Sequence, residues 1–249
     1  MSGPGQPLPT ALPGRAPKVG CSAAGCAACE VRHLTFCAGL EAAEINHLSA
    51  LVSRQTHGPH HALFYEGDTA EHVYNVTRGA IKLYKLLPDG RRQITGFLLS
   101  GDFLGLAGKD GYSYSAETVT AVDLCRFQRK KLDQLFAQFP QLERRMLKLA
   151  TDELIAAQDQ MLLLGRRTAA ERVASFLVRL SERETVRGLP GNPVYMPMTR
   201  GDVADYLGLT IETVSRTLSQ FKHNRLISLK SLTEIELVDK ARLLEMAAS

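Results

Sequence analysis

The chain has 249 residues, of which 45% are hydrophobic and 22% are charged, values typical of a globular protein with two modest domains. The formal net charge of +4 permits binding to nucleic acid but does not require it. The sequence has no apolar run near the roughly 18 residues of a membrane span, and its N-terminus lacks the basic and apolar regions of a signal peptide. We therefore expect a cytoplasmic protein without membrane contact.

The N-terminal segment 1–20 contains five prolines with interspersed glycines. Such a composition cannot bury enough apolar surface to form a core, so we expect this segment to be disordered. A short helix is predicted further along, around residues 41–53.

Four of the five cysteines lie in the segment 21–37, and Cys125 stands alone far downstream. In a cytosolic protein this clustering favours metal or redox chemistry over disulfides. Cys26 and Cys29 form a C-x2-C pair that can hold one metal centre. Cys37 is close enough in sequence to supply a third thiolate, and Cys125 is the candidate for a fourth.

Four thiolates suit a [4Fe–4S] cluster, and they suit structural zinc equally well in ligand type. Because zinc sites more often contain two C-x2-C pairs, the spacing favours iron–sulfur over zinc, and zinc over thiols without a metal. Cys21 could replace Cys26 as a ligand or stay unligated, and the second is favoured because Cys26 and Cys29 form the tighter pair. Cys125 has an alternative interpretation as a small buried hydrophobic residue of the β domain.

Brief β-like runs follow, each closed by a turn that contains glycine. The turn glycines are 11 or 12 residues apart, at Gly67, Gly79, Gly90 and Gly101. Strands are predicted over residues 72–77, 80–87 and 116–126. Short and evenly spaced strands favour an antiparallel sandwich or barrel, here over residues 55–128.

A long helix is predicted to begin near Gln141. Its apolar residues step by 3 and 4 in strict alternation and form a heptad seam of nearly three repeats. The residues of this seam are Leu147, Ala150, Leu154, Ala157, Met161 and Leu164. Because the flanking residues are polar, the seam favours pairing with a second copy of the helix over packing against the helix's own domain.

The stretch 198–226 is typical of two short helices joined by a tight turn, and an amphipathic helix is predicted before it, over residues 168–184. Gly208 ends the first of the two helices, and the hydroxyl of Thr210 can accept from the free N–H groups of the second. In a helix-turn-helix, the N-terminal end of the second helix enters the DNA major groove. The stretch therefore predicts a sequence-specific DNA-binding protein.

Several residues of this region have side chains suited to DNA. Arg can pair with G, Glu can accept from C and Ser can do either, while Lys and Arg nearby can meet phosphates. The predicted DNA-contacting residues are Thr210, Glu212, Thr213, Ser215, Arg216, Lys222 and Arg225. A hairpin over residues 226–229 and 234–237 is interpreted as the wing of a winged helix.

An enzymatic function is not expected, because the sequence contains neither a nucleotide-binding glycine loop nor a recognisable catalytic constellation. A redox enzyme that uses the cysteines is the remaining alternative of this class. His57, His60 and His61 lie close together, but we interpret them as a solvated turn because no partner carboxylate is expected beside them.

Several specific motifs occur together in this chain. They are QITGF (93–97), GD with FLG (101–105), QDQMLLL (158–164), MTRGD (198–202) and YLGLTIETVSR (206–216). With these motifs, the chain from about Cys21 to Lys240 resembles the FNR branch of the CRP/FNR transcriptional regulators. The cysteine spacing resembles that of the FnrN/FixK-type oxygen-responsive regulators.

The resemblance implies an α+β fold with five segments in chain order. These are a disordered N-terminus (1–20), a cysteine-rich cluster-binding segment (21–37), an antiparallel β-roll of the cyclic-nucleotide-binding type (38–140), a dimerisation helix (141–165) and a winged helix-turn-helix (166–249). It also implies that Cys26, Cys29, Cys37 and Cys125 hold an oxygen-labile [4Fe–4S] cluster.

With the cluster intact, such a protein forms a homodimer and binds a palindrome of the TTGAT-N4-ATCAA type in double-stranded DNA; oxygen converts the cluster, and the dimer weakens. Glu212, Ser215 and Arg216 match the E-x-x-S-R base-reading positions of the family. The bound protein would contact RNA polymerase and regulate genes for low-oxygen metabolism. The alternative is a winged-helix regulator with structural zinc, or with no metal, that does not sense oxygen.

Two departures from relatives lead to further expectations. Nucleotide-binding relatives carry an Arg–Ser or Arg–Thr pair where this chain reads Tyr114-Ser115-Ala116, so binding of cAMP is not expected. Some relatives place an acidic residue in the seam near Ala157, where like charges oppose pairing. Since a buried unpaired charge costs several kcal/mol, we expect this chain, when it lacks its cluster, to dimerise more readily than such relatives do.

Overall fold

The computed structural model shows an α+β protein in which an antiparallel β-roll, a long helix and a helix-turn-helix follow one another along the chain. It describes residues 25–41, 44–105 and 111–248. The expectations for residues 1–20 and for Cys21 lie outside these ranges. None of the helices within these ranges is both long and apolar enough to cross a membrane.

The described chain begins with three short 3-10 helices at Cys26–Ala28, Arg32–Leu34 and Phe36–Gly39. They are followed by the helix α1, Ile45–Ser49. This helix is shorter than predicted because the chain enters the first sheet at Val52.

Eight strands form the β-roll, in two four-stranded antiparallel sheets. The strands are β1 (Val52–His57), β2 (Ala62–Phe64), β3 (His72–Arg78), β4 (Ala80–Leu86), β5 (Arg92–Leu99), β6 (Phe103–Leu104), β7 (Ser115–Thr118) and β8 (Val122–Gln128). The first sheet has the order β1-β8-β3-β6 and the second the order β2-β7-β4-β5. Side chains from both sheets meet in one core that includes Val76, Ile81 and Leu124. The predicted antiparallel fold is confirmed.

The single strand predicted over residues 116–126 is wrong, because this stretch forms two strands in different sheets. β7 ends at Thr118, β8 starts at Val122, and the chain turns a corner between them. Gly79 packs against this corner with a φ of +90°, and a Cβ atom there would overlap the carbonyl oxygen of Ala121. The corner therefore requires glycine at position 79.

Two helices lead out of the β-roll, α2 (Arg129–Gln138) and α3 (Pro140–Arg166). Pro140 lies in the first turn of α3, where its missing N–H would have no helical partner in any case. α3 begins within one residue of the prediction, whereas α2 is absent from the sequence prediction. The buried residues Leu132 and Leu135 fix α2 against the β-roll.

The helix α3 is buried at its two ends and exposed in its middle. Leu142 belongs to the core beneath the 3-10 helices, and Leu163 belongs to the C-terminal core. Between them, Leu147, Leu154 and Met161 are 68%, 58% and 70% exposed. These exposed side chains, at heptad spacing, are the ones that pairing with a second copy would bury.

The remaining seam residues are less uniform. Ala157 is exposed and Ala150 is half-buried. Leu164 packs on the C-terminal core of its own chain, close to Gly208. Beside the seam, Ile155 and Leu162 are exposed apolar residues that the sequence prediction does not include.

The C-terminal part combines four helices with a small sheet. Its elements are α4 (Ala169–Val186), β9 (Val194–Tyr195), α5 (Arg200–Leu207), α6 (Ile211–His223), β10 (Ile227–Leu229), β11 (Glu234–Leu237) and α7 (Lys240–Ala248). The three strands pair antiparallel in the order β10-β11-β9, which includes the predicted wing hairpin. Leu177, Leu207 and Phe221 are buried in the core that these helices share.

We expect Leu142→Ala to lower the free energy of unfolding by about 2–5 kcal/mol, because it leaves a cavity in place of a fully buried side chain. Lys148→Ala, at an exposed position outside the seam in the middle of the same helix, should change it by no more than about 0.5 kcal/mol. Urea unfolding of dilute protein, followed by circular dichroism, measures both values. Equal losses in the two variants would contradict the division of α3 into buried ends and an exposed middle.

Candidate functional sites: a thiol-lined cavity and a DNA-reading helix

Four cysteines line one small cavity between the 3-10 helices and the first sheet. The structure brings together Cys26, Cys29, Cys37 and Cys125, the four predicted ligands. All four carry thiols, and only Cys29 is more than slightly exposed. The fold therefore brings four sulfur donors to one cavity, although Cys125 is distant from the other three in sequence.

Aromatic packing and strand pairing position the thiols. Phe36 is fully buried, and its ring centroid lies 5.7 Å from that of Phe103 and 5.4 Å from that of Phe127. This anchor fixes the 3-10 helix that carries Cys37. Cys125 lies on β8, directly opposite Asn75 on β3 in the sheet register.

The surroundings of Cys37 make its thiol weakly acidic. Burial raises its pKa to about 12, and the nearby Cys26 and Cys29 raise it as well, against the lowering effect of hydrogen bonds from Thr35 and Asn75. Nδ2 of Asn75 donates to Sγ of Cys37 over 3.3 Å. A cation in the cavity would offset this effect and favour the thiolate of Cys37.

Two further observations describe the cavity. Oδ1 of Asn75 is buried and has no hydrogen-bond partner in the described ranges. Among the residues that the structure describes, no three His, Cys, Asp or Glu side chains are arranged to hold one metal ion. The four thiols thus line one cavity without the close arrangement that would bind a single ion.

The cysteine segment is packed on the first turns of α3. The Arg145 guanidinium donates to the carbonyl oxygens of Thr35, over 3.5 Å, and His33, over 3.4 Å. A Cβ on Gly39 would lie 3.1 Å from the carbonyl oxygen of Gln141. A displacement of the cysteine segment would therefore alter the contacts that it makes with the first turns of α3.

The helix-turn-helix is built by local caps. The Thr199 hydroxyl begins α5 in a capping box with Asp202, and Gly208 ends α5 in the left-handed conformation with a φ of +61°. The hydroxyl of Thr210 accepts from the N–H of Thr213 over 3.2 Å and so caps α6, as predicted.

The helix α6 has one buried and one exposed face. Its apolar residues Val214, Leu218 and Phe221 are buried in the C-terminal core. The predicted contact residues Thr210, Glu212, Thr213, Ser215 and Arg216 are grouped at its N-terminal half, and all are exposed except the half-buried Thr213. Lys222 and Arg225 are exposed at the other end, about 15 Å along the axis, where phosphates are the more accessible target.

Glu212 is held in its charged form at the start of α6. Hydrogen bonds from its own backbone N–H and from the hydroxyl of Thr210, together with the nearby Arg216, keep its carboxyl pKa below the usual value. A carboxylate at this position can accept from the amino group of a cytosine.

Arg200 is a candidate DNA contact that the sequence prediction misses. It is the first residue of α5. It lies near the start of α6, since a Cβ on its neighbour Gly201 would be 3.6 Å from Cδ1 of Ile211. Its Nη1 has no hydrogen-bond acceptor among the described residues, and burial lowers the pKa of the guanidinium. That nitrogen is itself buried, but the side chain as a whole is half-buried and lies beside the start of α6, where a guanidinium can meet a DNA phosphate. The available sequence signal is an arginine directly after a capping threonine.

The expectation that His60 has no carboxylate beside it is wrong. Its Nδ1 lies 3.6 Å from Oε1 of Glu117, which reaches over from β7. Sequence distance conceals this pair, because Glu117 belongs to a strand that enters the sheet later. The rings of His57 and His61 stack, with their centroids 4.2 Å apart.

The domain organisation has clear counterparts among known proteins. Residues 171–246 match the Crp-like helix-turn-helix domain, and residues 54–139 match the cyclic nucleotide-binding domain. The transcriptional activatory protein AadR of Rhodopseudomonas palustris is 48% identical over 203 residues, which cover 80% of this chain and 83% of AadR. The chain belongs to the CRP/FNR family of transcriptional regulators. Since the members of this family regulate transcription and are not enzymes, the expectation of no enzymatic function is confirmed.

Two further members of the family are similar over most of their length. The nitrogen fixation regulation protein FixK of Bradyrhizobium diazoefficiens is 42% identical over 224 residues, which cover 90% of this chain and 94% of that protein. The solved structure of FixK2 from Bradyrhizobium japonicum superposes with a TM-score of 0.74 at 37% identity, over 80% of this chain and 98% of FixK2. The similarity to FixK2 confirms the predicted arrangement of β-roll, long helix and winged helix.

Arg216→Ala should cost about 1–3 kcal/mol of DNA-binding free energy and relax the preference at the one base that Arg216 reads. Arg200→Ala should weaken binding about equally for all sequences and reduce the salt slope by about 1, because it removes a phosphate contact. Anisotropy titrations with single-base variants of the site, at several salt concentrations, separate the two. A uniform loss for Arg216→Ala would assign that residue to a phosphate instead.

Proposed function

We propose that this protein is a cytoplasmic, homodimeric regulator that responds to oxygen through a [4Fe–4S] cluster held by Cys26, Cys29, Cys37 and Cys125. The dimer binds a palindrome of the TTGAT-N4-ATCAA type and regulates genes for low-oxygen metabolism together with RNA polymerase. The observation that carries this proposal is the single cavity that all four thiols line.

The residues of the cavity fit such a group. Four cysteine side chains line one cavity, and four thiolates are the ligand set of a [4Fe–4S] cluster and also of structural zinc. The amide of Asn75 donates to Cys37, and such hydrogen bonds to ligand sulfur tune iron–sulfur sites. When bound, the cluster supplies sensitivity to oxygen.

The chain itself provides the connection from this cavity to the dimer helix. Arg145 holds the carbonyl oxygens of His33 and Thr35, which flank the Cys37 turn. It stands two residues before Leu147, the first exposed apolar residue of the seam. A change in the position of the cysteine segment therefore alters the geometry at the start of the pairing surface.

We infer that cAMP is not the signal. Ser115 is buried in β7, where its hydroxyl accepts from the N–H of Glu66 over 3.0 Å. Where nucleotide-binding relatives carry an Arg, this chain has Tyr114, whose hydroxyl accepts from the N–H of Gly105. Neither side chain is left available to a cyclic nucleotide.

Some relatives touch RNA polymerase with the turn that corresponds to the β4–β5 turn, and in this chain that turn is more basic, although its charges are partly neutralised. Arg91 pairs with Asp89 over 2.7 Å. Arg92 points to α5, where it pairs with Asp202 and Asp205. The exposed apolar residues next to the turn are Leu86 and Leu87.

Protein purified without oxygen should contain about four irons and about four sulfides per chain, and air should bleach its absorption and weaken its DNA binding. Cys37→Ala should lose the iron, whereas Cys21→Ala, the matched control, should keep it. Metal analysis and absorption spectra of the three proteins measure this. One zinc per chain, or no metal with DNA binding unchanged in air, would replace the proposal with a winged-helix regulator that does not sense oxygen.

The protein without its cluster should be dimeric at micromolar concentration, because every position of the seam is uncharged. Ala157→Asp should make it monomeric, since pairing would bury an unpaired charge at a cost of several kcal/mol. Gln158→Asp adds the same charge beside the seam and should leave the dimer intact. Sedimentation equilibrium measures the association, and a monomeric wild-type apoprotein would refute the expectation.

A further inference from the structure

Lys82 lies on β4, but its ammonium group is buried at the junction between the β-roll and α5. Its Nζ is 2.9 Å from Oε1 of Glu117 and 3.2 Å from Oδ1 of Asp202, and the side chains of Lys82 and Asp202 are each only 6% exposed. Arg92 brings a second cation, with Nη2 3.2 Å from Asp202 and 2.8 Å from Asp205. Two carboxylates of α5 are thus held by two cations of the β-roll.

A second group of ion pairs joins the same two domains beyond the end of β5. Asp102 binds both Arg183 of α4 and Arg187, the residue directly after α4, the latter over 2.6 Å. The same guanidinium groups donate to the backbone carbonyl oxygens of Phe97, over 2.8 Å, and Ser100, over 2.7 Å. The outer edge of β5 is thus paired with side chains of the DNA-binding domain.

Aromatic rings fill the space between the two charged groups. The ring of Phe97 on β5 lies 6.2 Å from that of Phe176 on α4 and 5.2 Å from that of Tyr206 on α5. All three side chains are buried. An apolar centre with complementary charges on both sides favours one relative orientation of the two domains.

This contact leaves the DNA-reading face free. Glu212, Ser215 and Arg216 are exposed while the β-roll holds α5. Asp202, which Lys82 binds, is also the residue that closes the capping box of α5 with Thr199. The β-roll therefore contacts the first turn of α5 and leaves the recognition helix α6 uncovered.

The buried charges make the contact specific in its geometry. A buried ion pair adds little net stability over apolar residues, but moving one partner away leaves the other charge unpaired in the interior. Although burial alone would raise it, the pKa of Asp202 is lowered by the hydrogen bond from Thr199 and the charge of Lys82. The carboxylate thus stays charged, and rotation of the domains would separate it from its partners.

The interdomain contact comprises Lys82, Arg92, Asp102, Arg183, Arg187, Asp202 and Asp205. We propose that it fixes the orientation of α6 relative to α3 and so determines which half-site spacing the dimer accepts. The inference rests on the proposed binding to palindromic DNA. One added base pair rotates the second half-site by about 35° and shifts it by about 3.4 Å, which a rigidly held pair of recognition helices cannot follow.

The test compares Lys82→Met with Lys85→Met, its matched control on the same strand. Lys85 pairs with Glu66 at the surface, 48% exposed, and touches no residue of the DNA-binding domain among its ion pairs. Anisotropy titrations use three palindromes, with the preferred spacer and with one base pair fewer or more, together with an isolated half-site. Circular dichroism verifies that each variant is folded.

Wild type and Lys85→Met should bind the palindrome with the preferred spacer more tightly than the other two palindromes. Lys82→Met should lose about tenfold of this difference in affinity, while its affinity for the isolated half-site stays unchanged. An unchanged preference with intact half-site binding would overturn the inference alone. If the wild-type protein binds neither palindrome nor half-site, the proposed function falls and the inference with it. If Lys82→Met fails to fold, Arg183→Gln, on the less buried side of the contact, replaces it in the test. A lost spacer preference would again support the inference, and an unchanged one with intact half-site binding would overturn it.

Discussion

The structure depends on one constraint, which is that α3 is buried at both ends and exposed between them. At its start, Leu142 packs beneath the cysteine segment, and near its end Leu163 packs in the core of the DNA-binding domain. The middle carries apolar residues that no part of the described chain covers. One continuous helix therefore connects the thiol-lined cavity, the pairing surface and the helix-turn-helix.

The two candidate sites are stabilised by different forces. The cavity is supported by the aromatic packing of Phe36, and the amide of Asn75 donates a hydrogen bond to Sγ of Cys37. The DNA-reading helix instead depends on local caps and on ion pairs to the β-roll through Asp202. Non-directional packing suits a site that receives a cofactor, whereas directional charge pairs suit a surface that must match a fixed DNA geometry.

Local signals were sufficient to predict most of the fold. Glycine turns, capping threonines and the heptad period identify the β-roll strands, α3 and α6, because each depends on neighbouring residues. The corner that divides residues 116–126 was not predictable, since it depends on contact with Gly79. Cys125 could be predicted as a candidate ligand from its residue type alone, but its position in the cavity depends on the pairing of β3 with β8. The partner of Lys82 lies on α5, 120 residues away, and no sequence pattern connects them.

The outer edge of β5 has a consequence for the behaviour of the protein in solution. Strand edges with free carbonyl and N–H groups are templates on which other chains can add strands, and proteins commonly protect them by covering. Here the cover is the DNA-binding domain, through Arg183 and Arg187. A truncated form that ends after α3 would expose this edge together with Phe97, and it would be prone to aggregation even though its β-roll core is complete.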